Sequence, residues 1–154
     1  MSEINRREFV AGAAAVATSV CTMSCLSGRA MADDAPAGST TVDVGPKTDY
    51  AKDGMSDKFV MSNHVLIIRE NGKIYATTSV CTHRGADVAV QGDILHCPKH
   101  GSEFSNAGLV TKGPAKDPLI RHAISVNADG HLIVDTSKKF SQDQWTDAAS
   151  FIAA

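Results

Sequence analysis

The chain has 154 residues, of which 43% are hydrophobic and 5% aromatic, a length that permits one modest domain with a buried core. The formal net charge is −2, from 15 basic and 17 acidic residues, so the charge balance gives no indication of a nucleic-acid partner. Two of the four cysteines, Cys21 and Cys25, lie near the N-terminus in a segment that resembles an export signal. If that segment is removed, only Cys81 and Cys97 remain in the mature chain.

Residues 1–32 have the pattern of such a signal. Arg6-Arg7 precedes an uncharged stretch, residues 9–28, and Ala30-Met31-Ala32 supplies the small residues typical of a cleavage site. The run from Asn5 to Val10 also resembles a twin-arginine (Tat) signal, which exports proteins already folded. The sequence therefore predicts a Tat-exported protein that is periplasmic or otherwise extracytoplasmic.

Three alternatives stay open for the same segment. The arginine pair is also compatible with an ordinary export signal. Residues 9–28 approach the roughly 20 residues needed to cross a bilayer, so an uncleaved signal would act as a membrane anchor. Thr22-Met23-Ser24-Cys25 is a candidate lipid-attachment site, although it lacks the usual aliphatic residue three places before the cysteine.

Short strands are predicted after a polar linker, residues 33–40. Asn71-Gly72 lies between two runs rich in β-branched residues and predicts a hairpin, and a second hairpin is predicted around residues 91–93. The predicted strands are residues 41–44, 58–61, 64–69, 73–78, 87–90, 94–96, 109–111, 119–126 and 131–135. Their spacing favours an all-β domain of small antiparallel sheets over residues 41–137.

The tail, residues 138–154, has a different pattern. Ser141 and Gln144 match a capping box, and Trp145, Ala148, Ala149 and Ile152 recur at the spacing of one helical face. A short C-terminal amphipathic helix is therefore predicted. It would either pack back onto the domain or dock onto a partner subunit.

Two short motifs offer metal ligands. Cys81-x-His83 and Cys97-x-x-His100 each supply one sulfur and one imidazole, which suit zinc, copper or iron-sulfur centres. A glycine follows each motif, at Gly85 and Gly101, and predicts two tightly turned loops facing one shared site. Zinc fingers usually keep both cysteines on one element, whereas an asymmetric two-iron centre can place both sulfurs on one iron and both imidazoles on the other. A zinc-stabilised binding module without redox activity remains an alternative.

These motifs resemble the Rieske 2Fe-2S family. The matching residues are C-T-H-R-G at 81–85 and C-P-K-H-G-S at 97–102, followed by Glu103-Phe104, Gly113-Pro114-Ala115 and Pro118-Leu119. The resemblance implies a Rieske fold with a two-loop cluster-binding subdomain, and electron transfer as the function. It also implies one 2Fe-2S cluster per chain, held by Cys81, His83, Cys97 and His100, with both histidines bonding through Nδ1.

Residues beside these ligands bear on the reduction potential and on the partner. Ser102 matches a serine that donates a hydrogen bond to the cluster in high-potential relatives, whereas Phe104 stands where those relatives often carry tyrosine. Ala86 and Lys99 stand where many relatives carry the cysteines of a disulfide. An intermediate potential is therefore expected. Arg84 and Lys99 are expected near the cluster tip, where they would attract a redox partner with an acidic docking surface.

No nucleophile and base pair, nucleotide loop or second metal domain is recognised, so the sequence predicts an electron carrier without its own catalytic site. The alternative is a subunit of a larger oxidoreductase, resembling either quinol-cytochrome c reductase or arsenite oxidase. Arg84 counts against quinol oxidation, because those relatives commonly carry an apolar residue there. Four further histidines are predicted to bind no metal: His64, His96, His122 and His131.

Overall fold

The computed structural model describes residues 40–154, so the predicted signal and nearly all of the predicted linker lie outside the described residues. Nearly all of the regular secondary structure in residues 40–154 is β-strand, which confirms the all-β prediction. The strands are β1 (Thr41–Pro46), β2 (Gly54–Phe59), β3 (Val65–Glu70), β4 (Lys73–Thr78), β5 (Ala89–Gln91), β6 (Ile94–His96), β7 (Glu103–Ser105), β8 (Val110–Lys112), β9 (Arg121–Val126), β10 (His131–Phe140) and β11 (Ile152–Ala153). A single-turn helix, α1, spans Val60–Asn63, and 3-10 turns span Lys47–Tyr50 and Gln142–Gln144.

Seven strands form the larger sheet, in the order β1-β10-β9-β4-β3-β2, and β11 pairs with β4 beside that path. Strands β5 to β8 form a smaller sheet in sequence order, and all pairings in both sheets are antiparallel. The Cys81 motif lies in the connection from the larger sheet to the smaller one, and the Cys97 motif lies between β6 and β7. The smaller sheet thus holds the second motif, and the connection that leads into it holds the first.

Strand β3 is buried on both faces. Leu66 and Ile68 belong to one hydrophobic cluster, and the alternating residues Val65 and Ile67 belong to another. The first cluster also contains Cys81, Cys97 and the smaller-sheet residues Leu95 and Phe104. The motif cysteines are therefore anchored in the core that joins the two sheets, where packing restricts their movement.

The hairpin predicted at Asn71-Gly72 is confirmed. It joins β3 to β4, with Glu70 paired to Lys73, and both turn residues have positive φ, 52° for Asn71 and 72° for Gly72. Two left-handed residues are what a type I′ turn requires, and Asn-Gly is the dipeptide that adopts them at least cost.

The strand predicted at residues 58–61 is wrong in its second half. Strand β2 ends at Phe59, and α1 then reverses the chain so that Phe59 pairs with Val65. Ser62 and Asn63 favour a turn over a strand, because their side chains compete with the backbone for hydrogen bonds. Strand β7, which was not predicted, is only three residues long.

The predicted C-terminal helix is also wrong. The capping box between Ser141 and Gln144 forms, but only one 3-10 turn follows it. The Ser150 hydroxyl then donates to the carbonyls of Trp145 and Asp147, each at 2.8 Å, and stabilises the turns that replace the helix.

Instead the tail packs back onto the domain, as one of the two interpretations expected. Ile152 and Ala153 pair with the half of β4 that β9 leaves uncovered. The backbone N–H of Ile124 donates to the Ala149 carbonyl at 3.0 Å. The tail therefore forms a strand where its sequence pattern predicts a helix, because the open edge of β4 offers hydrogen bonds to the tail backbone.

Across residues 40–154, none of the helices reaches the length and apolar character that a bilayer span requires.

Candidate metal centre

The two ligand motifs fold into the same backbone turn. In each, the cysteine N–H donates to the carbonyl five places further on, and the cysteine carbonyl accepts the N–H of the glycine four places further on. The four bonds are Cys81 to Ala86 (2.8 Å), Cys97 to Ser102 (2.8 Å), Gly85 to Cys81 (2.9 Å) and Gly101 to Cys97 (2.9 Å). We call residues 81–86 the first loop and residues 97–102 the second loop.

The glycine of each loop has a left-handed backbone. Its φ is 72° at Gly85 and 73° at Gly101. Any other residue would be strained there, because its Cβ disfavours positive φ. The turn therefore requires the glycine that follows each motif. The residues directly before each glycine form the tip of the loop.

Both motif cysteines are buried, with Cys81 2% and Cys97 0% exposed, and both are free thiols in the bare chain. Burial and the neighbouring Cys97 sulfur raise the pKa of the Cys81 thiol, whereas the His83 backbone N–H and the Ser102 hydroxyl donate to its sulfur and act to lower it. A metal cation would favour the Cys81 thiolate that burial disfavours, so metal binding should release a proton there.

The motif histidines form a second pair. Their rings meet edge to face, with centroids 4.9 Å apart and planes at 90°. His100 is exposed, whereas the Nδ1 of His83 is buried and has no hydrogen-bond partner in residues 40–154. Desolvation, followed by the neighbouring His100 and Arg84, holds the pKa of His83 below 6.5. His83 is therefore neutral at pH 7, the state in which an imidazole binds a metal.

The candidate donors lie as two pairs. Nowhere in residues 40–154 do three or more His, Cys, Asp or Glu side chains converge on a point that could hold a single ion. The structure instead brings together a buried sulfur pair and an imidazole pair, with the unpartnered Nδ1 of His83 as one available donor. A two-iron cluster with one pair on each iron uses all four groups.

Ser102 and Phe104 lie against this site from the second loop and β7. Ser102 is fully buried, and its Oγ accepts the backbone N–H of Ala115 at 3.0 Å, which leaves its own proton available to the Cys81 sulfur. Phe104 is also fully buried and shares a hydrophobic cluster with both cysteines. The role of the Ala115 N–H was not identified from the sequence, because a backbone donor has no residue signature.

Arg84 and Lys99 are exposed at the tips of the two loops. Because the loops share one turn, Arg84 occupies the position of His100, directly before the glycine, and Lys99 occupies the position of His83. Each loop therefore presents one imidazole and one cation. None of the ion pairs within residues 40–154 involves Arg84 or Lys99.

The other four histidines lie outside both loops. His64 follows α1 and pairs with Asp87, and His131 lies in β10 and pairs with Asp43. His122 is buried in β9, and His96 ends β6, directly before Cys97. The sequence did not single out Asp87, which lies one residue beyond the first loop.

Comparison with known proteins identifies a family for this chain. A family model described as the Rieske [2Fe-2S] domain matches residues 40–132. The cytochrome b6-f complex iron-sulfur subunit of Chlorobaculum tepidum is 27% identical over 93 residues, covering 59% of this chain and 51% of that protein. The cytochrome b6-f complex iron-sulfur subunit 1 of Cyanophora paradoxa is 38% identical over 69 residues, covering 42% of this chain and 29% of that protein.

A solved structure is also similar. The cyanobacterial plasma membrane Rieske protein PetC3 from Synechocystis PCC 6803 has a TM-score of 0.47 and 29% identity, covering 60% of this chain and 97% of that one. The chain spans about half the length of the Chlorobaculum relative and less than a third of the Cyanophora relative.

Proposed function

Because the chain belongs to the Rieske [2Fe-2S] domain family, we propose that it is an electron carrier in which Cys81 and Cys97 hold one iron and His83 and His100 the other. When bound, such a cluster accepts and releases one electron, at a higher potential than plant-type ferredoxin clusters held by four cysteines. The observation that carries this assignment is the pairing of two buried, neighbouring sulfurs with two neighbouring imidazoles nearer the surface.

The residues around the ligands support distinct roles for the two ends of the site. Burial of both sulfurs limits the access of water to that end, and the His83 N–H and the Ser102 hydroxyl stabilise negative charge on the Cys81 sulfur. The exposed ring of His100 brings the other end to the surface, where a partner protein can approach closely. Electrons are therefore proposed to enter and leave at the histidine end.

An intermediate reduction potential is part of this proposal. The hydroxyl of Ser102 supports a higher value, because a hydrogen bond to a ligand sulfur stabilises the more negative reduced state. Phe104 offers no second hydroxyl, and Ala86 and Lys99 cannot form a disulfide between the loops. These absences support a value below the top of the roughly −150 to +300 mV spanned by Rieske centres.

The partner is proposed to be a redox protein with an acidic docking surface. Arg84 and Lys99 support this, because both are exposed cations beside the imidazole pair without an ion-pair partner in residues 40–154. Their charge is opposite to the slightly negative charge of the whole chain, which is −2. Such a local patch steers a negatively charged partner to the tip.

Export by the Tat route to the periplasm is proposed from the arginine pair and the cleavage pattern of residues 1–32. Because this route carries folded proteins, the cluster would be inserted before export. An export assay of the full chain, with Arg6 and Arg7 both replaced by lysine, tests this proposal. Unchanged export of the double variant would contradict it.

Spectroscopy of the purified protein tests the cluster itself. Reduced protein should give the EPR spectrum of a Rieske centre, and chemical analysis should find iron and acid-labile sulfide in equal amounts. Colourless protein that contains zinc and no sulfide would overturn the electron-carrier assignment and favour the zinc-stabilised module.

A second candidate is a subunit of a larger oxidoreductase. The observation that favours it is the similarity to iron-sulfur subunits of cytochrome b6-f complexes. Purification from membranes solubilised in mild detergent separates the two candidates, because a subunit should remain with its complex and a free carrier should not.

A further inference from the structure

The two loops differ in how their ends are held together. The ends of the second loop continue into β6 and β7, which pair at three successive positions. The residues that flank the first loop, Val80 and Asp87, belong to no strand and pair through an isolated bridge. The Thr82 hydroxyl donates to the Asp117 carbonyl, but this bond fixes the tip of the first loop and not its ends.

His64 contacts both sides of the first loop. Its backbone carbonyl accepts the N–H of Ser79 at 2.9 Å, just before the loop begins. Its ring Nδ1 lies 2.9 Å from the Oδ1 of Asp87, just after the loop ends. One residue therefore connects the segments that enter and leave the first loop.

Further bonds close this arrangement into a network. The Ser79 hydroxyl donates to the same Oδ1 of Asp87 at 2.5 Å, and the Val88 N–H donates to the Ser79 carbonyl at 2.7 Å. Burial acts to raise the pKa of Asp87, but the bonds from Ser79 and His64 outweigh it and hold the pKa below its ordinary value. The carboxylate is thus ionised at neutral pH and accepts from both partners.

The backbone of His64 is strained. Its φ of 56° and ψ of 37° are left-handed, at the C-terminal cap of α1. Glycine or asparagine adopts this conformation at lower cost than histidine. A strained residue persists when its surroundings hold it, and such residues cluster at functional sites.

We propose that His64 is a positioning residue for the iron-sulfur cluster, which acts through Asp87 to hold the two ends of the first loop at the spacing that cluster binding requires. This inference rests on the proposed function, because it takes Cys81 and His83 as cluster ligands. His64 also lines a cavity of about 400 Å³ together with Cys81 and Thr82.

The test compares His64→Asn and Asp87→Asn with a matched control, His131→Asn, in cluster-loaded protein. Asparagine suits the left-handed backbone, so His64→Asn removes the ring bond and keeps the turn. His131 forms the same kind of pair, with its Nδ1 2.9 Å from Asp43 Oδ2, but it joins β10 to β1 and lies in neither loop. The readouts are the rate of bleaching in an iron chelator and the EPR spectrum of the reduced state.

Both loop variants should lose the cluster about tenfold faster than wild type. This is the low end of the roughly 10- to 100-fold cost of losing an outer partner of a metal ligand, because His64 and Asp87 act on the ligands through the loop backbone. Their EPR lines should broaden or shift. The double variant should bleach no faster than the more affected single variant, since the two residues act as one pair. The control should match wild type in rate and spectrum.

Two outcomes would overturn the inference. The first is that the loop variants bleach no faster than His131→Asn and keep the wild-type EPR spectrum. The second is that the losses in the double variant are the sum of those in the single variants. If His64→Asn does not fold, the bleaching rate and EPR spectrum of Asp87→Asn test the inference. Wild-type protein without acid-labile sulfide would instead overturn the proposed function, a result visible before any variant is compared.

Discussion

The Oγ of Ser102 accepts the backbone N–H of Ala115 at 3.0 Å. Because this bond occupies a lone pair of the fully buried hydroxyl, the hydroxyl proton is available to the Cys81 sulfur, whose pKa Ser102 acts to lower. The segment around Ala115 thus acts on the candidate metal centre through Ser102.

Replacing Ser102 with alanine should lower the reduction potential. The lost hydrogen bond is stronger when the centre carries the extra electron, and a difference of about 1.4 kcal/mol between the two states corresponds to roughly 60 mV for one electron. Redox titration followed by EPR measures the change. Ser105→Ala is the matched control, because the Ser105 Oγ lies in β7 and accepts the Leu109 N–H at 3.2 Å. Equal potentials in Ser102→Ala and wild type would contradict the assigned donor.

Neutralising Arg84 and Lys99 together as glutamine should slow electron transfer to an anionic oxidant. Ferricyanide is a suitable probe, and the expected decrease is roughly threefold at low ionic strength, since local charge steers an oppositely charged reactant. The difference should disappear at about 1 M salt, where screening is nearly complete. Stopped-flow oxidation of reduced protein measures both rates.

Lys58 provides the control for this experiment, because it is exposed on β2 and belongs to neither loop. Lys58→Gln should leave the ferricyanide rate within experimental error of wild type. A decrease in Lys58→Gln equal to that in the tip variant would show that overall charge, and not the tip, determines the rate.

The hairpin and the ligand motifs could be predicted because their signals are local. Asn71-Gly72 specifies its turn by itself, and Gly85 and Gly101 reveal where each motif must turn. The tail could not be predicted, because Ile152 pairs with Ile74, far away in the sequence. The helical pattern near Trp145 was real, but the uncovered half of β4 offered backbone bonds that the pattern does not show.

The environment of the first loop was hidden for a related reason. His64 and Asp87 are common residue types, and nothing in their local sequence indicates that they meet. The sequence treated His64 only as a histidine outside the motifs. Its two connections to the segments beside the loop depend on the pairing of β3 with β4, which brings His64 close to Ser79 and Asp87.

Acid pH should destabilise the protein partly through His122. Burial lowers the pKa of His122 below 6.5 and Lys139 acts in the same direction, while the bond to the Lys138 carbonyl and the Asp135 charge oppose them. Below about pH 6.5 the imidazole takes up a proton in the unfolded chain but not in the folded one, which favours unfolding. The contribution of the neutral His122 ring to the free energy of unfolding is therefore complete above that pH and is lost as the pH falls.

His122→Gln should therefore reduce the pH dependence of stability. The thermal midpoint of cluster-loaded wild type should fall between about pH 7.5 and pH 5.5 by more than that of the variant. The corresponding difference in the free energy of unfolding should be at most about 1.4 kcal/mol per pH unit. Comparing the two proteins cancels the contribution of the ligand histidines, which both retain. Parallel pH profiles would contradict the assignment to His122.

Arg121 holds the tail to the domain through two aromatic rings. Its guanidinium carbon lies 3.7 Å from the centroid of Tyr75 and 4.2 Å from that of Trp145, and the side chain is only 7% exposed. No carboxylate forms an ion pair with Arg121 within residues 40–154, although the Glu70 charge acts on it and the Ala107 carbonyl accepts from its Nη2 at 3.5 Å. The two ring faces add cation-π contacts to these interactions. Trp145→Ala removes one face and the packing around it.

This truncation should reduce the free energy of unfolding by about 3 kcal/mol, through lost burial and a lost cation-π contact. It should also speed hydrogen exchange at the Ile124 amide, which donates to the tail carbonyl of Ala149. Trp145→Phe keeps a ring over Arg121 and should retain most of the stability and protection. The denaturant midpoint and amide exchange are the measurements, and a Trp145→Ala protein as stable and as protected as Trp145→Phe would show that the ring does not hold the tail.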